Sequence, residues 1–341
     1  MAATTTTIKT LPCFLSLIFL LIFTSFLPST TSKLCNKHDQ KALLALKTSF
    51  NHSDPFPTWT PIFDCCDWYG VTCNQTTGRV YSLDLTTDLT GVVPPALGDL
   101  PTLQVLRLHK VPNLHSPIPH SITKLKLLRF LTISWGSLSG PIPTFLSQLP
   151  SLESLDLSFN QLSGNIPPSL GHLPALRVID LSRNHLTGTI PETLFHIINP
   201  KTTFPTLILS HNNLTGPIPS SFANVDFAAL DVSRNKLTGN PSFLFGQSKS
   251  ADTIVLARNQ FKFDLSRVVF PENVDVLQLE HNMIYGSIPN QITMVSTLQF
   301  FNVSYNRLCG EIPTGGQLGS FDEYSFIHNK CLCGTPLPPC K

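Results

Sequence analysis

The sequence predicts an α/β repeat protein, a right-handed solenoid with a parallel β-sheet on its concave face and disulfide-capped ends. Three observations predict this class. A pair of apolar residues, L-x-L, recurs every 23 to 28 residues through the middle of the chain. An asparagine follows most of these pairs at a fixed distance, and six repeats then carry G-x-I-P. Eight of the nine cysteines lie in two clusters that flank this periodic region, with none between residues 74 and 308.

The first 32 residues predict a secretory signal peptide. Lys9 gives a basic start, residues 11–27 form a largely apolar run, and small residues lead to a cleavage site near Ser32. The run is short for a membrane span and contains Pro12 and Ser16, which favours cleavage over anchoring. No second apolar stretch of spanning length follows, so we expect a secreted, extracellular protein.

Charge and motif content argue against two function classes. The chain has 23 Lys and Arg against 21 Asp and Glu, a formal charge of +2 that becomes +1 once Lys9 is removed. A nucleic-acid partner would require a clustered basic excess, so none is expected. The sequence contains no P-loop, G-x-S-x-G or H-E-x-x-H motif, and an exposed ladder of strands offers no pocket. We therefore expect neither an enzyme nor a bound cofactor.

The repeats define the domain organisation. Residues 33–79 form an N-terminal cysteine cap, residues 80–308 about ten repeats, and residues 309–341 a C-terminal cysteine cap. The stretch 155–167, L-D-L-S-x-N-x-L-x-G-x-I-P, shows the unit complete. Units of this pattern and period are leucine-rich repeats. The first apolar residues of the pairs are Leu83, Leu106, Leu131, Leu155, Ile179, Leu207, Leu230, Ile254, Leu277 and Phe301.

Each conserved feature of the unit has a physical cause. The two apolar residues of L-x-L point to one side of a strand, because strand side chains alternate. Asparagine suits the bend after the strand, since its side chain can bond to backbone groups that would otherwise be buried unpaired. Glycine permits the next bend, and the Ile-Pro step favours extended chain. We therefore expect a convex side that is extended and 3₁₀-like, and a sheet about 45–50 Å long.

The caps are expected to cover the apolar ends of the array. Asp39 is predicted to cap a helix whose apolar face carries Leu43, Leu46 and Phe50, with Trp59 and Trp68 packed nearby. Pairing the nearest cysteines within each cluster gives four disulfides, although spacing alone leaves the connectivity open. CC-x6-C and C-x-C are poor zinc spacings, so no metal is expected. The pairs would be Cys35–Cys65, Cys66–Cys73, Cys309–Cys331 and Cys333–Cys340.

Four sequons agree with export. The N-x-S/T pattern marks acceptor asparagines for N-glycosylation in secreted proteins. The candidate positions are Asn51, Asn74, Asn213 and Asn302.

The mature chain also resembles a known family. The stretches 35–44 (CNKHDQKALL), 64–73 (DCCDWYGVTC), 243–246 (FLFG), 308–318 (LCGEIPTGGQL) and 329–340 (NKCLCGTPLPPC) resemble those of the plant polygalacturonase-inhibiting proteins. The resemblance implies a secreted, cell-wall inhibitor of fungal endopolygalacturonases, with the cysteine pairing given above. An insect enzyme is an alternative target, and a monomer is expected.

The outward positions of the strands predict a partner-binding face, because solenoids of this kind bind through their concave surface. Asp156 and Asp231 match acidic positions of the family, whereas Ser182, Asp252 and Arg177 depart from its pattern. The departures affect the identity of the target enzyme and not the fold. The candidate residues are Arg107, His109, Thr132, Ser134, Asp156, Ser158, Arg177, Asp180, Ser182, Ser210, Asp231, Ser233, Asp252, Thr253 and Gln278.

Alternatives remain at this stage. An extracellular receptor-like or developmental module that binds proteins without inhibiting an enzyme would have the same fold and export signal. Ice binding is disfavoured, because the concave row mixes charged, apolar and amide side chains. Pectin is a further candidate ligand, because Arg107, His109, Lys110 and Arg129 form a basic cluster near the early repeats.

Overall fold

The concave sheet contains one strand from each repeat, as the L-x-L period predicts. The computed structural model describes residues 34–50, 56–197 and 203–341. The predicted signal peptide, the sequon at Asn51 and part of the 28-residue step between Ile179 and Leu207 lie outside the described residues. Within them the strands are β1 Val71–Cys73, β2 Val80–Leu85, β3 Gly91–Val92, β4 Val105–His115, β5 Phe130–Ser137, β6 Ser139–Pro141, β7 Ser154–Asp156, β8 Gln161–Asn165, β9 Val178–Asp180, β10 His185–Thr187, β11 Thr206–Ile208, β12 Thr215–Pro217, β13 Ala229–Asp231, β14 Lys236–Gly239, β15 Thr253–Val255, β16 Gln260–Phe261, β17 Val276–Gln278, β18 Tyr285–Gly286, β19 Phe300–Asn302, β20 Arg307–Glu311 and β21 Cys331–Cys333.

The strand order confirms the predicted α/β solenoid. In the part of the chain that is described, the main sheet runs β1-β2-β4-β5-β7-β9-β11-β13-β15-β17-β19, with β3 beside β4. All neighbours from β2 onward are parallel and in register, so that Leu155 lies beside Ile179 and Leu207 beside Leu230. Residues at equivalent repeat positions therefore form straight rows across the sheet.

The paired apolar residues form one continuous core. The first residue of every pair, from Leu83 to Phe301, is at most 3% exposed. The eighth repeat, one of those without G-x-I-P, has Phe261, Phe263 and Leu265 in that part of the unit, and all three are buried. At about 1.5–3 kcal/mol for each buried apolar side chain, this column is the main stabilising term of the fold.

Asparagine side chains join each repeat to the one before it and form an inter-repeat ladder, in which each asparagine is one rung. Asn184 donates from Nδ2 to the carbonyl oxygen of Leu157 at 2.9 Å and accepts the amide of Leu162 at 2.9 Å, both in the preceding repeat. Nδ2 also bonds two carbonyls of its own turn, those of Leu181 and Ser182. The same set of bonds recurs at Asn160, Asn212, Asn235, Asn259, Asn282 and Asn306, and Asn329 makes it with one carbonyl of its own turn instead of two.

The convex side is formed by short 3₁₀ segments, as the Ile-Pro steps predict. Glycine allows some of these segments to pack closely: a Cβ at Gly98 or Gly171 would overlap the backbone oxygen of Ser121 or Thr193. Described convex segments are Pro95–Asp99, His120–Lys124, Thr144–Gln148, Pro168–His172, Ser220–Asn224, Ser242–Leu244, Leu265–Arg267, Asn290–Met294 and Gly316–Ser320.

A second set of sheets, the lateral sheets, lies beside the main sheet and was not expected from the sequence. It consists of three parallel sheets in the orders β10-β8-β6, β12-β14-β16 and β18-β20-β21. These strands come from the L-x-G-x part of each repeat, where one buried residue between exposed neighbours makes a half-buried strand. The sequence pattern there is too short to distinguish a strand from a turn.

The N-terminal cap differs from the prediction in one residue. The helix α1, Lys37–Ser49, is capped by Asn36, whose side chain accepts the amide of His38 at 2.9 Å. Asp39 is instead fully buried and accepts two bonds of 2.9 Å from the guanidinium of Arg79, and one from the amide of Val80. The expectation that Asp39 caps the helix was therefore wrong, because the partly buried guanidinium of Arg79, 40 residues along the chain, binds its carboxylate.

Apolar packing and disulfides close the caps. Leu43, Leu46 and Phe50 are buried, and the rings of Trp59 and Trp68 stack with centroids 5.4 Å apart. The cysteines join as Cys35–Cys65, Cys66–Cys73, Cys309–Cys331 and Cys333–Cys340. The four N-terminal sulfur atoms lie within 4.8 Å of one another, but as disulfides they provide no thiolates for a metal. Among the described residues no helix has the length and apolarity to cross a bilayer.

Replacing an inter-repeat asparagine should destabilise the whole array. We expect Asn184→Ala to lower the free energy of unfolding by about 3 kcal/mol, because several buried backbone groups lose their partner. Urea unfolding followed by circular dichroism measures the change. The matched control is Asn165→Ala, an exposed asparagine of the lateral sheet, which should change stability by less than about 0.5 kcal/mol. Equal midpoints for the two variants would contradict the role of the ladder.

Candidate protein-binding face on the concave sheet

Three parallel rows of side chains make up the concave face. The central row holds the residue between the paired apolar positions: Asp84, Arg107, Thr132, Asp156, Asp180, Ile208, Asp231, Val255, Gln278 and Asn302. The serine row lies two residues further along each repeat: His109, Ser134, Ser158, Ser182, Ser210, Ser233, Ala257, Glu280 and Ser304. The left-handed row, named for its left-handed backbone conformation, holds the residue directly after the serine row: Lys110, Trp135, Phe159, Arg183, His211, Arg234, Arg258, His281, Tyr305 and His328.

Three carboxylates mark the middle of the central row. Asp156 pairs directly with Asp180 across β7 and β9, and Ile208 separates Asp180 from Asp231. All three aspartates are half-buried. Oδ1 of each one accepts the backbone amide two residues ahead at 2.9 Å. The carboxylates are therefore held in fixed positions before any partner arrives.

The serine row lies beneath the face and not on it. Ser134, Ser158, Ser182, Ser210 and Ser233 are each at most 8% exposed. The hydroxyls of Ser158 and Ser182 donate to the preceding aspartate at 2.6 and 2.7 Å. The prediction that these five serines contact a partner directly is corrected here, because the narrow turn after each strand draws their side chains inward. The hydroxyls of Ser158 and Ser182 position the carboxylates of Asp156 and Asp180 instead.

Burial alters the acidity of the central carboxylate. The pKa of Asp180 is raised, mainly because burial disfavours the charged form, and the carboxylates of Asp156 and Asp231 add to the effect. The two hydrogen bonds from Ser182 oppose the shift. Asp180 therefore loses its charge at a higher pH than an ordinary aspartate does.

The remaining predicted residues have mixed environments. Arg177 pairs with Glu153, which also accepts from Arg129 at 2.5 Å. The bond from Arg129 is the main reason that the pKa of Glu153 is lowered. A partner that contacts Arg177 must therefore compete with Glu153.

Toward the two ends of the sheet the candidates are accessible to different degrees. Arg107 pairs with Asp84 at 3.1 Å, and Nδ1 of His109 bonds the hydroxyl of Ser134 at 3.0 Å. Thr132, Thr253 and Gln278 are partly exposed, and Asp252 is fully accessible.

The sequons that lie within the described residues have different settings. Asn74 is exposed in a turn and accepts the amides of Thr76 and Thr77 at 3.0 Å. Asn213 is exposed, two residues before β12. Asn302 lines a shallow depression of about 360 Å³ at the C-terminal end of the concave face, and its Oδ1 accepts from Ser304.

The left-handed row was not recognised as a row from the sequence, where Lys110 was proposed as a pectin contact. Every member has φ between 52° and 59°, because the chain must turn sharply before each asparagine. The rings of Trp135 and Phe159 stack at 3.8 Å, and the Arg183 guanidinium lies 4.9 Å from the Phe159 centroid. The row contains only cationic, imidazole and aromatic side chains. The signal was available for eight of the ten, since all except Lys110 and Trp135 immediately precede a repeat asparagine.

Comparison with known proteins agrees with this architecture. The family model "Leucine rich repeat N-terminal domain" matches residues 36–74, "Leucine Rich repeats (2 copies)" matches 150–194, and "Leucine Rich Repeat" matches 206–225. A solved structure described as that of a plant ice-binding protein superposes with a TM-score of 0.87 at 46% identity, covering 91% of this chain and 99% of the other.

Two curated relatives show the family. The chain is 55% identical to polygalacturonase inhibitor 1 of Arabidopsis thaliana over 329 residues, 96% of this chain and 98% of the relative. It is 53% identical to the polygalacturonase inhibitor of Pyrus communis over 322 residues, 94% of this chain and 96% of the relative. These relatives are named as inhibitors and not as enzymes. The chain therefore belongs to the plant polygalacturonase inhibitor family of leucine-rich repeat proteins.

Proposed function

We propose that the protein is secreted to the plant cell wall, where as a monomer it binds a fungal endopolygalacturonase through the concave face and limits pectin degradation. The observation that carries the proposal is the fixed set of carboxylates at Asp156, Asp180 and Asp231 on a rigid sheet. An insect polygalacturonase is an alternative target of the same face. The sequons at Asn51, Asn74, Asn213 and Asn302 are the proposed glycan positions.

Inhibition by this face needs no chemistry from the chain. A protein that covers the substrate cleft of the enzyme, or its rim, blocks or slows access of the polymer. A specific complex buries about 1,200–2,000 Å² in total, which a sheet of this length can supply. Because the turns already hold the carboxylates, binding costs little ordering of side chains.

The central row favours a partner with a basic surface. Three carboxylates along one row attract lysine and arginine side chains, which raises the association rate and discriminates against acidic surfaces. Ile208 lies between Asp180 and Asp231, and Val255 follows Asp231, so that a complementary surface would place apolar atoms beside its cations. We infer that contact centres on β5 to β15.

Neutralising the central carboxylates should weaken inhibition. We expect Asp156→Asn with Asp231→Asn to raise the inhibition constant against a susceptible endopolygalacturonase at least about tenfold, equivalent to about 1.4 kcal/mol. Reducing-sugar release by a panel of enzymes measures it. Glu192→Gln, an exposed convex carboxylate, is the matched control and should inhibit like wild type. If wild-type protein slows no enzyme of the panel, the receptor-like or developmental module replaces the inhibitor as the better reading.

Asp180 should make binding depend on pH. Its carboxylate attracts a basic partner only when ionised, so affinity should fall as pH falls through its raised pKa. Asp180→Asn should reduce this pH dependence and keep the turn, because Asn302 makes the same bonds to Ser304 that Asp180 makes to Ser182. Binding measured by surface plasmon resonance across pH tests this, and an unchanged pH profile in the variant would contradict it.

The same pKa shift predicts the sign of a stability change. Because the folded pKa of Asp180 lies above the unfolded value, the ionised group costs stability at neutral pH, and the cost disappears as pH falls through the folded pKa. Asp180→Asn should therefore raise the thermal midpoint at neutral pH and have little effect in acid. A midpoint lowered at neutral pH would contradict this account.

A second proposed function is retention on pectin through the left-handed row. The observation that favours it is the spacing of Arg183, Arg234 and Arg258 in one row, with no ion pair to any of them among the described residues. By contrast, Arg107 and Arg129 of the early basic cluster already pair with Asp84 and Glu153. Pectin carboxylates would therefore meet unpaired cations mainly in the left-handed row.

Arginine variants should separate the two basic regions. We expect Arg234→Gln with Arg258→Gln to lower the salt concentration that elutes the protein from demethylated pectin, because two unpaired cations are lost. Arg107→Ala with Arg129→Ala should have a smaller effect, since both arginines are already paired with carboxylates. Chromatography of the folded variants on pectin measures the eluting salt concentration of each. A larger decrease for the variant of the early cluster would place the pectin site in that cluster.

A further inference from the structure

Glu280 interrupts the serine row with a carboxylate. The preceding repeat has Ala257 at this position and the following one has Ser304, both buried. The longer Glu280 side chain is only partly accessible, and its Oε2 is buried without a hydrogen-bond partner among the described residues. Neither the inter-repeat ladder nor the central carboxylates require a negative charge here, so the stability of the fold does not explain this residue.

His281 lies directly after Glu280, in the left-handed row. Its ring stacks on Tyr305 with centroids 4.1 Å apart, and Tyr305 stacks in turn on His328 at 4.2 Å. Arg258 is the preceding member of the left-handed row, since β15 and β17 pair in register. Neighbouring side chains of this row are therefore about one strand spacing apart, roughly 4.8 Å.

We propose that Glu280 and His281 form an acid-responsive switch that tightens the hold of the left-handed row on a polyanion. Near neutral pH the pair carries one negative charge, which offsets Arg258. In acid Glu280 becomes neutral and His281 becomes cationic. Arg234, Arg258 and His281 are then three consecutive positive side chains of the row. The proposal rests on the second proposed function, the retention of an anionic polymer by this row.

The surroundings shift the two protonation steps toward each other. The pKa of Glu280 is raised from 4.5, chiefly by burial, against the opposing effects of its own backbone hydrogen bond and of Arg258 and Arg234. The pKa of His281 is lowered from 6.5, chiefly by burial, with further lowering by Arg258, Arg234 and His328. Together with Tyr305, these are the titratable and charged groups that face the pair. The two pKa values thus shift toward each other, and protonation of either group makes the row more positive.

A polyanion would in turn favour the acid form. Its charges stabilise protonated His281 and disfavour ionised Glu280, so that binding takes up protons and affinity rises as pH falls. His211 lies between Arg183 and Arg234 and adds one charge of the same sign in acid. The Glu280–His281 pair supplies the larger part of the change, because two groups titrate together there.

The test uses dextran sulfate, a polyanion whose own charge does not titrate in this range. Affinity for the immobilised polymer is measured from about pH 7.5 to about pH 5 at constant salt. Wild type should bind about tenfold more tightly in acid. Glu280→Gln should bind more tightly than wild type at neutral pH, and His281→Gln more weakly than wild type in acid. The double variant should retain about threefold dependence, owing to His211.

Two further variants make the test independent of folding. Glu280→Ser installs the residue that most neighbouring repeats carry at this position, and it should behave like Glu280→Gln if charge is the cause. His172→Gln, an exposed convex histidine, should keep the wild-type slope. A double variant with the full wild-type pH slope would overturn the switch while leaving the polyanion site standing. Absence of wild-type binding at every pH would overturn the polyanion site, and the switch with it.

Discussion

The hydrogen bonds of the repeat asparagines are the constraint on which the rest of the molecule depends. Each amide side chain reaches into the preceding repeat and also closes its own turn, so that one residue fixes both the stacking distance and the path of the chain. The turn requires left-handed backbone in the residue just before the asparagine. Leucine burial supplies most of the stabilisation, but these bonds set the register that turns separate repeats into rows.

The arrangement of the face follows from that register. A row of carboxylates and a row of cations run side by side, separated by the narrow buried row to which Ser158 and Ser182 belong. Small hydroxyl residues allow the two rows to approach without direct ion pairs, and they hold the carboxylates through their own hydrogen bonds. A single sheet thereby presents two surfaces of opposite charge, one suited to a basic protein and the other to an acidic polymer.

The sequence was informative where a residue's role is set within its own repeat, and less so where the role is set between repeats. The leucine spacing predicted the strands and their parallel order, and the Ile-Pro steps predicted the 3₁₀ convex side. Asp39 looked like a helix cap because its partner Arg79 lies far along the chain. The serines looked outward because strand alternation was extended past the strand end, where the turn redirects them. Asn329 was not counted as a rung, since the apolar pair that precedes it in other repeats is absent.

The C-terminal cap reproduces the rung it covers. Asn329 bonds backward as every other rung does, His328 has the same left-handed backbone, and β21 extends the lateral sheet. The C-terminal cap thus bonds to the last repeat as one more repeat would, and these bonds do not depend on the number of repeats before it. Unequal recombination could add or delete whole units and leave a sealed molecule behind. The length of the concave face could thereby change by one repeat at a time, without any change in the packing beneath it.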